Sequence, residues 1–232
     1  MITLHLYPEL CGLPDNNPYG LKVETFMRLA GIPYQAEHIL DAASAPRGQL
    51  PFLLDGETVV SDSNRMIDYL TQKYDVALDR DLTPAQRTTH FLVTRMLDSH
   101  LYWVMSYSRW QDPRYWPAFL AIFRQACPQF SAADFEAPRK YNLERYRYQG
   151  IGRYEPADVY QSGIDDLEAI RALLGNKPFL FGDAVHTVDA CCYGFLANIH
   201  YFAIDTPLRE FIRAHPALVA YTERIRAGLG SA

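Results

Sequence analysis

Residues 48–63 read Gly-Gln-Leu-Pro-Phe-Leu-Leu-Asp-Gly-Glu-Thr-Val-Val-Ser-Asp-Ser, and this block constrains the fold more than any other stretch of the chain. Two short apolar runs, 52–54 and 59–60, flank Asp55-Gly56. An Asp-Gly pair between such runs is a hairpin signal, because glycine accepts the positive φ a tight turn demands. The second run passes directly into Asp62-Ser63 at the head of an amphipathic segment, which is how a helix begins. The two ends of the hairpin differ in chemistry. With the Leu50–Pro51 bond cis, as tight turns allow before proline, the Leu50 N–H and C=O face outward as an unpaired donor and acceptor for an extended, peptide-like ligand, with Gln49 beside them. At the other end, Asp62 and Ser63 stand where helix amides lack partners. Those amides and the Ser63 hydroxyl suit a carboxylate, while Asp62 accepts from an amine. The same residues also fit a plain hairpin whose Asp and Ser only cap a helix, since both types favour that position.

The surrounding pattern sets the block in a fold. Residues 2–7 alternate like a strand, and 8–18, rich in Pro, Gly, Asn and Asp, form a loop. Residues 19–30 place Leu21, Val23, Phe26, Met27 and Ala30 at helical spacing and stop at Gly31 and Pro33. A second strand comes next at 34–39, a short loop or helical turn at 41–47, then the hairpin and a closing helix at 63–74. The order βαβ, connector, ββα is that of a thioredoxin-like α/β fold. Residues 75–84 carry no sustained apolar period and end in a Thr-Pro helix start, which marks a linker. Everything beyond reads helical, at 85–109, 117–125, 139–149, 156–174, 188–203 and 208–225. The expected organisation is a thioredoxin-like domain over 1–76 and an all-helical bundle domain over 84–232.

Charge and residue spacing exclude several function classes. With 22 Lys and Arg against 27 Asp and Glu, the net charge of −5 offers no global surface for nucleic acid. No run of about 18 apolar residues occurs, so no membrane span is expected. Residues 1–5 show no basic leader or cleavage site, so a cytoplasmic protein is expected. Cys11, Cys127, Cys191 and Cys192 form no CxxC pair, and adjacent Cys191 and Cys192 suit small buried positions. The seven histidines lack the spacing that puts two ligands on one helix face, so no metal is expected.

The Gln49-Leu50-Pro51 turn and the Asp62-Ser63 pair resemble the glutathione site in the thioredoxin-like half of glutathione transferases. Residues 17–33, 95–110, 149–154 and 177–183 are similar to the branch related to metaxin and to failed axon connections. Together the likenesses cover nearly the whole chain. They imply a glutathione transferase fold, glutathione as co-substrate at Gln49, Leu50, Pro51, Asp62 and Ser63, a hydrophobic small-molecule electrophile, and a homodimer. One departure is His186-Thr187-Val188-Asp189, where transferases carry Ser/Thr-x-x-Asp. Either Thr187 caps from a shifted position or His186 substitutes, and Asp189 is a structural residue.

Transferases hold the glutathione sulfur as thiolate with a donor after the first strand, assisted by the first helix's dipole. The candidates here are Tyr7, Cys11, Asn17 and Tyr19. By register Asn17 takes the first motif position; it donates an N–H but is no nucleophile, which excludes redox chemistry through it. Tyr7 either serves the sulfur or closes the strand onto the core, and Tyr19 either contacts the thiolate or anchors the helix start. Tyr102, Trp103, Tyr107, Trp110, Tyr115 and Trp116 divide between core and an apolar pocket. Arg153, after a Gly-x-Gly bend, is a candidate for the ligand's carboxylates. Two rival readings stand beside the transferase: a non-catalytic, metaxin-like interaction module, and a thiol oxidoreductase using Cys11.

Overall fold

The computed structural model describes residues 1–230. Its first part comprises β1 (Ile2–Leu6), α1 (Pro18–Leu29), β2 (Tyr34–His38), β3 (Phe52–Asp55), β4 (Thr58–Ser61) and α2 (Ser63–Tyr74). The strands form one sheet in the order β2-β1-β3-β4, with β1 parallel to β2 and the other pairs antiparallel. Leu4 of β1 lies opposite Leu53 of β3. The core built here joins Ile2, Leu4, Leu6 and Leu53 to Val23, Phe26 and Met27 of α1 and to Met66 and Leu70 of α2. This is the thioredoxin-like arrangement expected from the order of elements.

The remainder is helical: α3 (Pro84–Met96), a π-helical turn (Leu97–Leu101), α4 (Tyr102–Trp110), α5 (Trp116–Ala126), α6 (Glu136–Gln149), α7 (Pro156–Leu174), α8 (Thr187–His200), α9 (Pro207–Ala214) and α10 (Pro216–Gly228). Two expected helices are broken. The one read over 85–109 is interrupted by the π turn, whose wider ring adds a residue and re-aims α4; such insertions carry no composition signal. The one read over 208–225 divides at His215, which adopts φ −118° and ψ 90° because the ring of Pro216 excludes the α region for the residue before it.

Helix α8 is apolar and buried on every side, the mark of a central helix. Its start resolves the departure at residues 186–189. Asp189 accepts from the backbone N–H of His186 (2.8 Å) and Leu180 (3.0 Å) and from the Tyr221 hydroxyl (2.7 Å). The Thr187 N–H is met by Asp79 of the linker at 2.9 Å, while the His186 ring turns to Asp81 at 3.2 Å. The cap lost from the local motif is thus supplied by a residue over a hundred positions earlier in the chain.

The sheet part and the helical part meet where α1 lies on α8. Gly194 of α8 faces the Pro18 carbonyl so closely that a side chain has no room there. Beside this contact Lys22 is buried and fully paired. Its Nζ donates to Asn64 Oδ1 at 2.7 Å and to Asp98 Oδ2 at 2.9 Å, and Asn64 Nδ2 donates to the same Asp98 oxygen at 2.8 Å. A buried charge is tolerable only with such partners. The π turn is what brings Asp98 to Lys22, so it joins α1, α2 and the helical part in one polar network.

Candidate active site

A cavity of 1310 Å³ opens between the sheet and the helices. Tyr7, Asn17, Tyr19, Gln49, Leu50, Pro51, Asp62 and Ser63 all lie on its wall. The Leu50–Pro51 bond is cis, and the Leu50 backbone makes no hydrogen bond among the described residues. Asp62 caps α2: one carboxylate oxygen accepts from the Asn64 N–H (3.0 Å) and the Arg65 N–H (3.3 Å). Its other oxygen lies 3.9 Å from the Arg47 guanidinium, a cation also on the wall. Ser63 is buried beside them. A donor-acceptor backbone, a helix start and an ion pair therefore occupy the same side of the cavity.

The loop after β1 supplies the opposite group. Asn17 is the N-cap of α1, its Oδ1 accepting from the Tyr19 N–H at 2.9 Å, while its own N–H donates to Asp15 at 2.7 Å. With the oxygen spent, the amide nitrogen of Asn17 is left as a donor at the cavity wall, beside the positive end of α1. Burial pushes the Tyr7 phenol up to about 12, so it stays protonated and acts as a neutral donor. The Tyr19 hydroxyl donates to the Asp98 carbonyl at 2.5 Å. Its proton is spent on tying α1 to the π turn, so no thiolate contact through this hydroxyl emerges from the geometry, and burial raises its pKa far above the ordinary value.

Of the helical aromatics, Tyr102, Trp103 and Trp110 face the cavity. Tyr107 is buried in the helical core, and Tyr115 and Trp116 pack behind the wall. Phe119, Phe123, Phe130 and Phe135 line an apolar lobe of the same cavity. Two candidates from the sequence lie away from this wall. Arg153 donates through Nε to the Arg147 carbonyl at 2.9 Å and is off the wall, because the bend at residues 150–152 folds it back along α6. Cys11 is off the wall as well, in a turn closed by reciprocal Leu10 and Leu13 hydrogen bonds of 3.0 Å.

Several wall residues carry no local sequence signal. Arg109 donates to the Asn16 carbonyl and the Asn198 carbonyl, each at 2.7 Å, and its guanidinium lies 4.0 Å over the Phe202 ring. Burial lowers its pKa to about 10, which leaves it cationic at neutral pH. It clamps the loop before Asn17 to the end of α8. Arg47, Asp98 and Arg145 also reach the wall. An arginine inside an aromatic helical run is the one hint the sequence offers. No group of three or more His, Cys, Asp and Glu able to hold a metal is present among the described residues.

A thioredoxin-like sheet and a helical bundle enclosing one shared cavity define the architecture of the glutathione transferases. Solved structures with it include the β-etherase LigF from Sphingobium sp. strain SYK-6, with a TM-score of 0.71 and 17% identity over 97% of this chain and 95% of that one. A theta class glutathione S-transferase from Xanthomonas axonopodis pv. citri, with glutathione bound, has a TM-score of 0.60 and 18% identity over 100% and 98%. Family models match too: the glutathione S-transferase N-terminal domain over residues 18–115 and the C-terminal domain over 163–225. The isoprene-epoxide–glutathione S-transferase of Rhodococcus sp. (strain AD45) is 34% identical over 97% of this chain and 98% of its own length. Failed axon connections of Drosophila melanogaster is 31% identical over 97% of this chain but only 57% of that protein, and metaxin-1 of Bos taurus is 27% identical over 92% and 70%. The chain belongs to the glutathione S-transferase family, in the branch that also holds the metaxins.

Proposed function

We propose that this protein binds glutathione along the Leu50–Pro51 backbone and conjugates it to hydrophobic electrophiles. The observation that carries the reading is that one cavity gathers Gln49, Leu50, Pro51, Asp62 and Ser63 with the donors Asn17 and Tyr7 and an apolar lobe. The γ-glutamyl head rests on Asp62, Ser63 and the start of α2, and the cysteinyl backbone pairs with Leu50. Asn17 and Tyr7 face the sulfur. The thiol releases its proton to water, the thiolate attacks an electrophilic carbon in the apolar lobe, and the bond to the leaving group breaks with its electron pair. The Rhodococcus relative is named for an epoxide, which makes small epoxides the first acceptors to assay.

The test is calorimetry of the purified chain with reduced glutathione, then turnover of a chlorodinitrobenzene-type acceptor and an epoxide. Ser63→Ala should weaken binding, and Asn17→Ala should cut turnover about 10- to 100-fold with binding kept, the scale of losing one hydrogen bond to a charged group. No heat at millimolar ligand removes the glutathione reading. Binding without turnover favours the second reading, a non-catalytic interaction module, which the likeness to metaxin-1 and failed axon connections supports.

Further assignments complete the reading. We place the two domains at 1–76 and 84–232. No helix among the described residues is long and apolar enough to cross a membrane, and we assign the chain to the cytoplasm. Phe91 and Leu92 of α3 stand exposed side by side, a surface suited to a homodimer contact.

A further inference from the structure

Four guanidinium groups reach the cavity wall, and three are already engaged or face outward. Arg47 pairs with Asp62, and Arg109 spends its donors on the Asn16 and Asn198 carbonyls. Arg95 is exposed on α3 with its guanidinium 5.2 Å over Phe91. Arg145 of α6 is different. It is half-buried and has no carboxylate within ion-pair distance among the described residues.

Its guanidinium is held by ring faces, 5.0 Å from the Trp103 centroid, 5.6 Å from Tyr141 and 6.0 Å from Tyr102. One donor goes to Asn142 Oδ1 at 3.0 Å. A guanidinium has five donors in a fixed fork, so most remain for an anion. Aromatic faces locate such a cation without neutralising it.

The acids of the cavity do not compete for it. Asp98 is taken by Lys22, and Asp62 caps α2. Asp41 caps the short turn at Ala42–Ser44, and Asp134 is bound to Ser131. The remaining titratable groups nearby are the phenols of Tyr7, Tyr19, Tyr102, Tyr141 and Tyr146, with the Tyr102 hydroxyl also an acceptor for Arg145. The Arg145 charge is felt at the Tyr7 and Tyr19 hydroxyls, where it pulls against the effect of burial. Arg145 and Tyr7 both line this cavity, and the Tyr102 ring under Arg145 lies 4.9 Å from the Tyr19 ring at the start of α1, the end of the cavity where the proposed reading puts the sulfur.

We propose that Arg145 is a catalytic residue that contacts the glutathione sulfur and holds it as thiolate, a charge supplied from the helical part of the chain. This assignment rests on the glutathione reading above. The thiol S–H bond breaks with its electron pair left on sulfur and the proton taken by water; Arg145 balances the resulting charge without gaining or losing a proton. The sulfur lone pair then forms the bond to the acceptor carbon as the leaving group departs. It also accounts for an active site whose motif position holds Asn17, a neutral donor, in place of a hydroxyl or thiol.

The experiment is titration of the thiolate ultraviolet absorbance of bound glutathione in the parent chain, Arg145→Met and Arg145→Lys. An opposite charge at 4–6 Å moves an acid by about one to three pH units. In Arg145→Met the bound thiol should therefore titrate about one to three units higher. Turnover at pH 6.5 should fall at least tenfold and recover as pH rises, while glutathione affinity by calorimetry changes little. Arg145→Lys, which keeps charge and loses the fork, should restore most of the shift. If Arg145→Met fails to fold, Asn142→Ala frees the guanidinium from its tether and should move the titration the same way by a smaller amount. Glutathione bound with an unchanged thiolate titration in these variants overturns the assignment of Arg145 and leaves the family reading intact. A rate loss confined to acceptors that release an oxyanion, with the titration unmoved, also overturns it and puts the cation on the acceptor. Absence of glutathione binding by the parent chain overturns both.

Discussion

Gly194→Ala tests how far the site depends on the seat of α1 against α8. A Cβ at position 194 would stand 2.6 Å from the Pro18 carbonyl oxygen, 3.0 Å from the Lys22 backbone nitrogen and 3.1 Å from Lys22 Cβ. Two of these neighbours are backbone, so no side chain can swing away. Ordinary contact begins near 3.4 Å, so the two helices must part by about 0.8 Å at this point. Overpacking of this kind costs about 1–3 kcal/mol. Alanine regains about 1 kcal/mol over glycine inside a helix, which leaves a net loss of up to about 2 kcal/mol. For a chain of this size that lowers Tm by up to about 8 °C. Pro18 opens α1 directly after Asn17, so the displaced turn is the one carrying the proposed thiolate donor. Misplacement approaching 1 Å costs up to about 100-fold in rate. Thermal denaturation and turnover, measured with glutathione binding as control, check both halves of the argument. An unchanged or raised Tm with full activity would show that the helix contact yields freely, and would refute it.

Two further predictions concern buried titratable groups. Asp15 is fully buried; one oxygen accepts from Asn17 and the other has no partner among the described residues, and burial holds its pKa well above the ordinary 3.8. The native state therefore keeps a proton that the unfolded chain releases above about pH 4. The stability tied to this group is fully present below that pH and is lost as pH rises toward the native pKa. In Asp15→Asn, which keeps an acceptor and removes the titration, the Tm difference from the parent should grow between pH 4 and pH 7; a flat difference refutes a protonated Asp15. Burial pushes the Cys191 thiol up to about 12 and Cys192 well above its ordinary value. Alkylation of the native protein at pH 8 should therefore mark the half-buried Cys11 and spare both; mass spectrometry finding label on Cys191 before unfolding contradicts this.

The features legible in the sequence are local. The Asp55-Gly56 turn, the proline at 51, the cap at Asp62-Ser63 and the Asn17-Pro18 helix start each declare themselves within a few residues, because turn and cap chemistry acts between near neighbours. The prolines at 84, 156, 207 and 216 each stand at the first turn of a helix. Pro216 is the exception in legibility, since a continuous apolar period across His215 conceals a new start. The π turn has no such signal, and the cap of α8 depends on Asp79, far away in the linker.

Chain order and periodicity were enough to determine the thioredoxin-like half, the helical half and the backbone groups that a glutathione molecule would need. Tertiary packing alone decided which charged side chains enter the cavity and which of them remain unpaired. Lys22 meets Asp98, Arg109 meets Asn16 and Asn198, and Arg145 meets rings, an amide and the Tyr102 hydroxyl but no carboxylate. The reason is physical: a cap or a turn is satisfied by its own neighbours, whereas the charge state and partners of a buried group depend on the dielectric and donors brought to it by distant segments.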